Sequence, residues 1–471
     1  MSLFVAFWFG GGLWAAPLEL GEVLISAEER SPLVERAAQE LAKAEAARLG
    51  AQGAYDLGWS ASGLAVPLGE YDYVTADAGL SQLTPLWGAR LDAGYSLGVG
   101  GLPDYYGELA TGPAGELAAG LTVPLLKGRA IDAERAALQA AGVRVEAAEA
   151  IVDTAALLVT RDASLAYWRW VSAGRRLALA EELLEIALAR DAAITARVAA
   201  GDLPEVDRLD NERIILERQA RRAEAERGLV AAEQELSLYL RDESGRPLVP
   251  SRDRLPETFP TPTPQASAST ETLAQQALTS RPELAQLERA LAEAEVLARL
   301  AENSLQPKLD VKGGVAQTLG PPGTTPDATE LKVGVAFGVP LQRREAQGKL
   351  DGARAELLKL EAERRWLEDR VVAEVTRSLV AVETAYVRWE ATTRSVELAR
   401  QLELAEQARF ELGDADLLRV YQREQIFADA VLAEVDASLD YYAALAAYRY
   451  ALGERGRAVT PAPHKQRRPG V

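Results

Sequence analysis

The chain has 471 residues, 48% of them hydrophobic but only 6% aromatic, with no cysteine, one histidine and a formal net charge of −18. The absence of cysteine excludes disulfides, Cys-ligated metals, thiol catalysis and a lipidated N-terminal Cys. The acidic balance argues against nucleic acid, whose phosphates call for clustered Lys and Arg; it suits a cationic cargo, an acidic conduit or plain solubility.

The N-terminus carries an apolar run from Leu3 to Trp14, followed by Ala15-Ala16-Pro17. Its length fits a signal-peptide h-region and falls short of a membrane span. Residues 1–16 are therefore read as a signal peptide cleaved near Ala16. No later segment approaches about 20 consecutive apolar residues, so any span of a membrane must be made by strands.

The remainder of the chain is a tandem duplication, over residues 17–240 and 271–455. "SPLVERAAQELAKAEA" from Ser31 is echoed by "RPELAQLERALAEAEV" from Arg281, and "GLTVPL" at Gly120–Leu125 by "AFGVPL" at Ala336–Leu341. "AYWRW" at Ala166–Trp170 returns as "AYVRW" at Ala385–Trp389, and "ARVAAGD" from Ala196 as "ARFELGD" from Ala408. All four echoes keep their order. From Trp170 to Gly201 the first copy is one heptad longer than the second from Trp389 to Gly413, which keeps the same helix face inward.

Each copy reads as helix, strands, very long helix, break, helix. In the first copy the strands fall at about 55–125, where Leu91, Ala93, Tyr95, Leu97 and Val99, then Leu117, Ala119, Leu121, Val123 and Leu125, alternate with polar or small residues. Strand-like segments also lie at Leu57–Ala65 and Val74–Leu83. A long helix is expected over 127–200, a tip at 201–205 and a helix over 206–240. The segment 241–270, rich in Pro, Ser and Thr, reads as an extended linker packed along the outside.

In the second copy strands are expected at about 308–341, with Leu331, Val333, Val335, Phe337 and Val339 on one face. A proline-free helix occupies 342–412, with a seam of Leu350, Leu357, Leu360, Leu367, Val371, Val375 and Val382. About 70 helical residues reach on the order of 100 Å, a rod suited to a coiled coil or tube. A tip at 413–416, a helix over 417–453 and a disordered tail over 456–471, holding the lone His464, complete the chain. One histidine in a tail makes His-based triads, zinc sites and proton relays improbable.

The strand alternation alone fits either a transmembrane β-barrel or a half-buried soluble sheet; the export signal and the rods favour the barrel. No phosphate loop, nucleophile elbow or metal-spaced cluster appears, so no catalytic, cofactor-binding or metal residue is assigned. The carboxylates on the helices read as solvated faces of i,i+4 pairs. At each break, Gly201 and Gly413 supply the left-handed residue that ends a helix. Asp202 and Asp414 can cap the next helix, with Pro204 acceptable in its first turn, and Arg197 and Arg409 sit where cations favour a helix C-terminus. Each copy then makes one antiparallel hairpin. Capping accounts for only part of the acidic cluster Asp202, Glu205, Asp207 and Asp210; Asp207 and Asp210, three apart, share a face.

The duplicated plan, the "SRPEL" helix start, "QPKLDVKGGV" leading into a strand, Val-Pro-Leu before a long helix and the Gly-x₄-VDRLD hairpin together resemble TolC-type outer-membrane efflux proteins, from about residue 18 to 455. The resemblance implies a mainly helical fold with a transmembrane β-barrel portion. Long antiparallel hairpins would form a trimeric α-barrel, each protomer adding about four strands to a shared 12-stranded barrel. The two strand-like segments at 57–83 exceed that number. It implies an outer-membrane channel of a tripartite efflux or type I secretion system, passively conducting small molecules, metals or polypeptides. The implied partners are a homotrimer, outer-membrane lipid, a periplasmic adaptor and an inner-membrane pump of the RND, ABC or a similar class. No cofactor is implied. Without cysteine the chain is not of the lipid-anchored kind.

In that family aspartates can ring the periplasmic entrance, and Val206-Asp207-Arg208-Leu209-Asp210 resembles its VDxLD pattern, which makes Asp207 and Asp210 the candidate constriction. In the best-known member the pair lies in the second repeat, whereas the second-copy equivalents here are Arg419 and Gln422. The tip residues Gly201, Asp202, Gly413 and Asp414 are the implied adaptor contact. A periplasmic coiled-coil adaptor or scaffold without its own pore is the alternative; such a protein normally carries one hairpin flanked by compact β domains, and the duplication argues against it.

Overall fold

The protein is described here by a computed structural model covering residues 16–101, 111–265, 269–320, 329–412 and 414–455. The expected signal peptide (apart from Ala16), Gly413, the tail at 456–471 and residues 102–110, 266–268 and 321–328 lie outside the described residues. In chain order the elements are α1 (Leu20–Arg30), α2 (Pro32–Gln52), β1 (Gly58–Val66), β2 (Tyr73–Leu83), β3 (Arg90–Gly100) and β4 (Glu116–Pro124). Then come α3 (Ala133–Ala199), α4 (Glu205–Ser237), α5 (Thr270–Ser280), α6 (Pro282–Asn303), β5 (Lys308–Thr318), β6 (Thr329–Gly338), α7 (Arg344–Glu411) and α8 (Leu417–Ala451). α3 and α7 are continuous helices of 67 and 68 residues.

Two compact units divide the chain. One holds Ala38–Ile151 and Glu283–Trp366, the other the residues up to Ala37, Val152–Pro282 and everything from Leu367.

Among the described residues the strand-bearing unit has six strands, which form one antiparallel sheet in the order β1-β2-β3-β4-β5-β6. The expectation of about four strands is therefore corrected to six: the segments at 57–65 and 74–83 are β1 and β2, and both are full members of the sheet. Their alternation is carried by Ala, Gly and Ser as much as by large residues, and it serves the same face. One row runs Trp59–Leu80–Ala93–Ala119–Val315–Leu331 across all six strands. That face also bears Val74, Leu91, Val99, Leu117, Leu121, Val333, Val335 and Phe337, and every one of these is exposed. The opposite face carries Ser60, Ser62, Thr75, Asp77, Asp92, Ser96, Thr122, Lys312 and Lys332, with Leu64, Val66, Tyr73 and Leu83 as exceptions toward the strand ends. The helical part of this unit has a small core, with Ile131, Ala136 and Val296 in one cluster and Leu291, Ala294 and Leu360 in another. Asp132 caps α3 by accepting the Arg135 amide at 2.7 Å, and Asn303 accepts the Gly128 amide at 2.8 Å.

The other unit is built from long helices. Leu179 and Leu183 of α3 pack with Ala428, Val431 and Val435 of α8. Of the α7 seam, Val371, Val375 and Val382 are buried in this unit, and Leu350 and Leu360 in the other. The linker lies against α3 and α8, and its described residues form no helix or strand beyond one 3₁₀ turn and an isolated bridge between Arg241 and Pro247. Phe259 stacks with Trp168 and Tyr442, Tyr441 donates to the Thr263 carbonyl (2.7 Å) and Tyr442 to that of Pro260 (2.8 Å). Gly174 makes room for it, since a Cβ there would meet Leu255 at 2.3 Å. Among the described residues no helix is long and apolar enough to cross a membrane.

Candidate functional site: hairpin ends and sheet face

The first hairpin turns at Gly201. Its φ of +82° is the left-handed conformation glycine adopts at no steric cost. The Asp202 amide donates to the Arg197 carbonyl (2.9 Å) and the Gly201 amide to that of Val198 (3.0 Å), the paired bonds of a Schellman ending. In the second hairpin the Asp414 amide donates to the Arg409 carbonyl at 2.9 Å. Arg197 and Arg409 stand in the last turns of α3 and α7, where a cation suits the helix dipole.

The expected caps are corrected. Asp202 does not cap α4: Pro204 is its N-cap residue, with no side-chain cap bond. α8 is capped by Asp416, whose carboxylate accepts the Arg419 amide at 2.9 Å, and not by Asp414. The Schellman bonds use the amides of residues 201 and 202 to close the first helix. The chain therefore needs further residues to turn before the next helix begins.

The acidic cluster is only partly neutralised. Glu205 pairs with Arg208 at 2.6 Å, and Asp210 with Arg213 at 3.7 Å. Asp207, in the first turn of α4 and half-buried, has no ion pair among the described residues. Asp202 and Asp414 are exposed.

Just inside the tips lies a polar cluster that the sequence did not announce. Glu424 of α8 is almost fully buried and accepts hydrogen bonds from Arg190 of α3 and, at 2.7 Å, from Arg218 of α4. Burial lowers the Arg190 pKa, but bonding to Glu424 outweighs it and leaves the guanidinium above its ordinary value. Beside it the fully buried Asn211 of α4 donates to Asp191 of α3 (2.8 Å) and accepts from the Tyr421 hydroxyl of α8 (2.9 Å). Three helices are thereby joined by two parallel sets of bonds. Glu403 and Glu406 of α7 are also buried. Glu403 accepts from Arg400 at 2.8 Å, yet burial holds its pKa above the usual carboxylate range. The reading of helical carboxylates as solvated faces thus fails at Glu233, Glu403, Glu406 and Glu424. A cleft of about 950 Å³ opens between α3, α4 and α8, with Arg176, Arg213, Arg218 and Arg221 on its walls. Among the described residues no group of His, Cys, Asp or Glu is arranged to hold a metal ion.

Comparison with known proteins agrees with this architecture. Residues 273–454 match the family model "Outer membrane efflux protein". No curated protein sequence matches the chain. Among solved structures, the CmeC outer membrane channel of Campylobacter jejuni aligns at 14% identity and a TM-score of 0.65, over 93% of this chain and 87% of that one. The MtrE outer membrane channel of Neisseria gonorrhoeae, in its open state, aligns at 17% identity and 0.65, over 92% and 89%. The outer membrane protein VceC of Vibrio cholerae aligns at 16% identity and 0.65, over 92% and 96%. At these identities the likeness establishes the fold, and it spans both copies of the duplication. Residues 273–454 thus carry the sequence pattern of the outer membrane efflux protein family, and the fold of these channels extends along nearly the whole chain.

Proposed function

We propose that this chain is the outer-membrane channel of a tripartite efflux or type I secretion system, passing small molecules, metals or polypeptides outward without catalysis. The observation that carries the reading is the sheet face. It spans six strands, presents Trp, Leu, Val and Phe side chains, and is exposed from edge to edge. In water such a face is an aggregation hazard; against hydrocarbon it is the outer wall of a barrel, with the Ser, Asp and Lys face turned to an aqueous lumen. A coiled-coil scaffold has no use for it.

On this reading the protein is a homotrimer in outer-membrane lipid, with its helices in the periplasm. The tips Gly201, Asp202, Gly413 and Asp414 meet a periplasmic adaptor, which connects to an inner-membrane pump. Asp207 and Asp210 form the narrow entrance. Their shared helix face and the unpaired charge of Asp207 support this role, because an acidic ring focuses cations and repels anions.

Extraction separates channel from scaffold. A channel stays with the membrane at high pH and runs as an SDS-resistant oligomer, whereas a scaffold washes off. Single-channel recording tests the entrance: cation selectivity is expected, weakened by Asp207→Ala with Asp210→Ala. Anion selectivity, or no change in the variant, refutes the assignment.

A further inference from the structure

The sheet ends in two open edges. Among the described residues β1 pairs only with β2, and β6 only with β5. Soluble proteins blunt such edges with charge, proline or a bulge. β1 has none of these: Gly58–Val66 reads GWSASGLAV and pairs residue for residue with β2. The apolar face is also most exposed at the edges, with Trp59 at 72% on β1 and Leu331 and Val333 at 79% and 74% on β6. A face this apolar belongs in hydrocarbon, and there an unpaired strand edge is forbidden, because its N–H and C=O groups have no water to bond. Both edges must therefore be paired.

From these edges we infer that β1 of one copy pairs with β6 of the next, and that three copies close a single barrel of 18 strands. The inference rests on the trimeric channel proposed above and replaces its expected strand count. Parity permits closure: six strands in consecutive antiparallel order leave β1 and β6 running in opposite directions, so the new pair is antiparallel like the other five. Length permits it, with 9 residues in β1 and 10 in β6. The contact is head-to-tail, each copy offering two different edges, and a ring is the form in which no edge remains. One copy cannot close alone, since bacterial membrane barrels begin at eight strands. β1 and β2 are not an appendage. The β1–β2 and β2–β3 ladders are unbroken over the full strands, and their polar face carries Ser60, Ser62, Thr75, Asp77 and Ser81 into the same lumen wall as Asp92 and Ser96. Because barrel diameter grows roughly in proportion to strand number, 18 strands give a lumen about half as wide again as 12 would.

The native chain has no cysteine, so engineered pairs report cleanly. Ser60→Cys or Ser62→Cys on β1 would be combined in turn with Lys332→Cys, Gly334→Cys or Ala336→Cys on β6, in full-length protein in outer-membrane vesicles. Under oxidation at least one β1–β6 combination should yield a covalent trimer on a denaturing gel, while the single variants yield none. A parallel set joining β3 to β6, with Asp92→Cys or Ser96→Cys, should not cross-link. Cross-linking of β3 to β6, or of no β1–β6 pair, in particles whose native mass is three copies overturns the 18-strand closure and leaves the trimer standing. A native mass of two copies with β1–β6 cross-links means 12 strands and overturns both. Electron cryo-microscopy of the unmodified protein gives a variant-free count: 18 strands viewed down the barrel are expected, and 12 overturn the inference.

Discussion

Glu424 is the residue whose loss should be felt most at the hairpin end. Its carboxylate is 3% exposed and faces Arg190 and Arg218, themselves only 13% and 12% exposed. Glu424→Ala would strand two buried guanidinium groups without an anion, a change that costs about 3–5 kcal/mol. Two circumstances favour the lower end of that range. Arg190 keeps its contact with the Tyr421 ring, Arg218 keeps its bond to the Leu183 carbonyl, and the adjoining cleft lets water reach Arg218. A loss of about 3 kcal/mol corresponds to roughly a hundredfold faster local opening. Amide hydrogen exchange along the first turns of α8 and the middle of α4 is the assay, since it reads local opening that a global melt does not resolve. Changing the whole triad with Glu424→Leu, Arg190→Met and Arg218→Met removes charge and partner together and should restore slow exchange. Acceleration below tenfold in Glu424→Ala, or a triple variant that opens as fast as the single one, would refute the view that this cluster locks α8 to the first hairpin.

Neighbouring residues give further tests. Asn211→Ala leaves Asp191 and the Tyr421 hydroxyl without their shared partner and should cost about 1–3 kcal/mol, read as faster exchange in α4 near residue 211; unchanged exchange would show that water replaces the amide. Gly201→Ala meets open space but must hold φ near +82°. It should therefore cost about 1 kcal/mol, with faster exchange confined to the tip; an effect spreading into the helices would contradict a purely backbone cause. Glu403 has a raised folded-state pKa, so its contribution to stability is present below its ordinary pKa and lost as pH rises through the raised value. Glu403→Gln should then stabilise the hairpin at neutral pH, with the advantage over the native chain vanishing in acid; a pH-independent difference would refute the sign.

The long helices were legible because their apolar period is sustained over many turns. Leu350, Leu360, Val371, Val375 and Val382 stand out in the sequence as a seam and are buried in the structure. The strands at 90–100 and 329–338 were legible for the matching reason, a period of two with large apolar side chains. β1 was harder, since its alternation rests on Ala, Gly and Ser, and membership of a sheet is settled by partners, not by local pattern. The caps were misassigned because Asp202 and Asp414 directly follow Gly201 and Gly413 and their amides finish the preceding helix, while the cap position falls two residues later, at Pro204 and Asp416. The Glu424 cluster could not be read at all. A buried Glu in an amphipathic helix looks like its solvated neighbours, and its two arginines lie 234 and 206 residues away in sequence.

The linker also bears on covalent continuity. It crosses from one copy to the other almost without secondary structure, held by a stack of three rings, two tyrosine hydroxyls and the notch at Gly174. These ties are side-chain contacts, and none depends on the peptide bond joining one half of the chain to the other. Two polypeptides, divided near residue 267 and synthesised together, would meet through the same α3–α8 core and the same rings. The fusion of the copies then supplies proximity during assembly and equal stoichiometry, while the strength of the finished wall resides elsewhere.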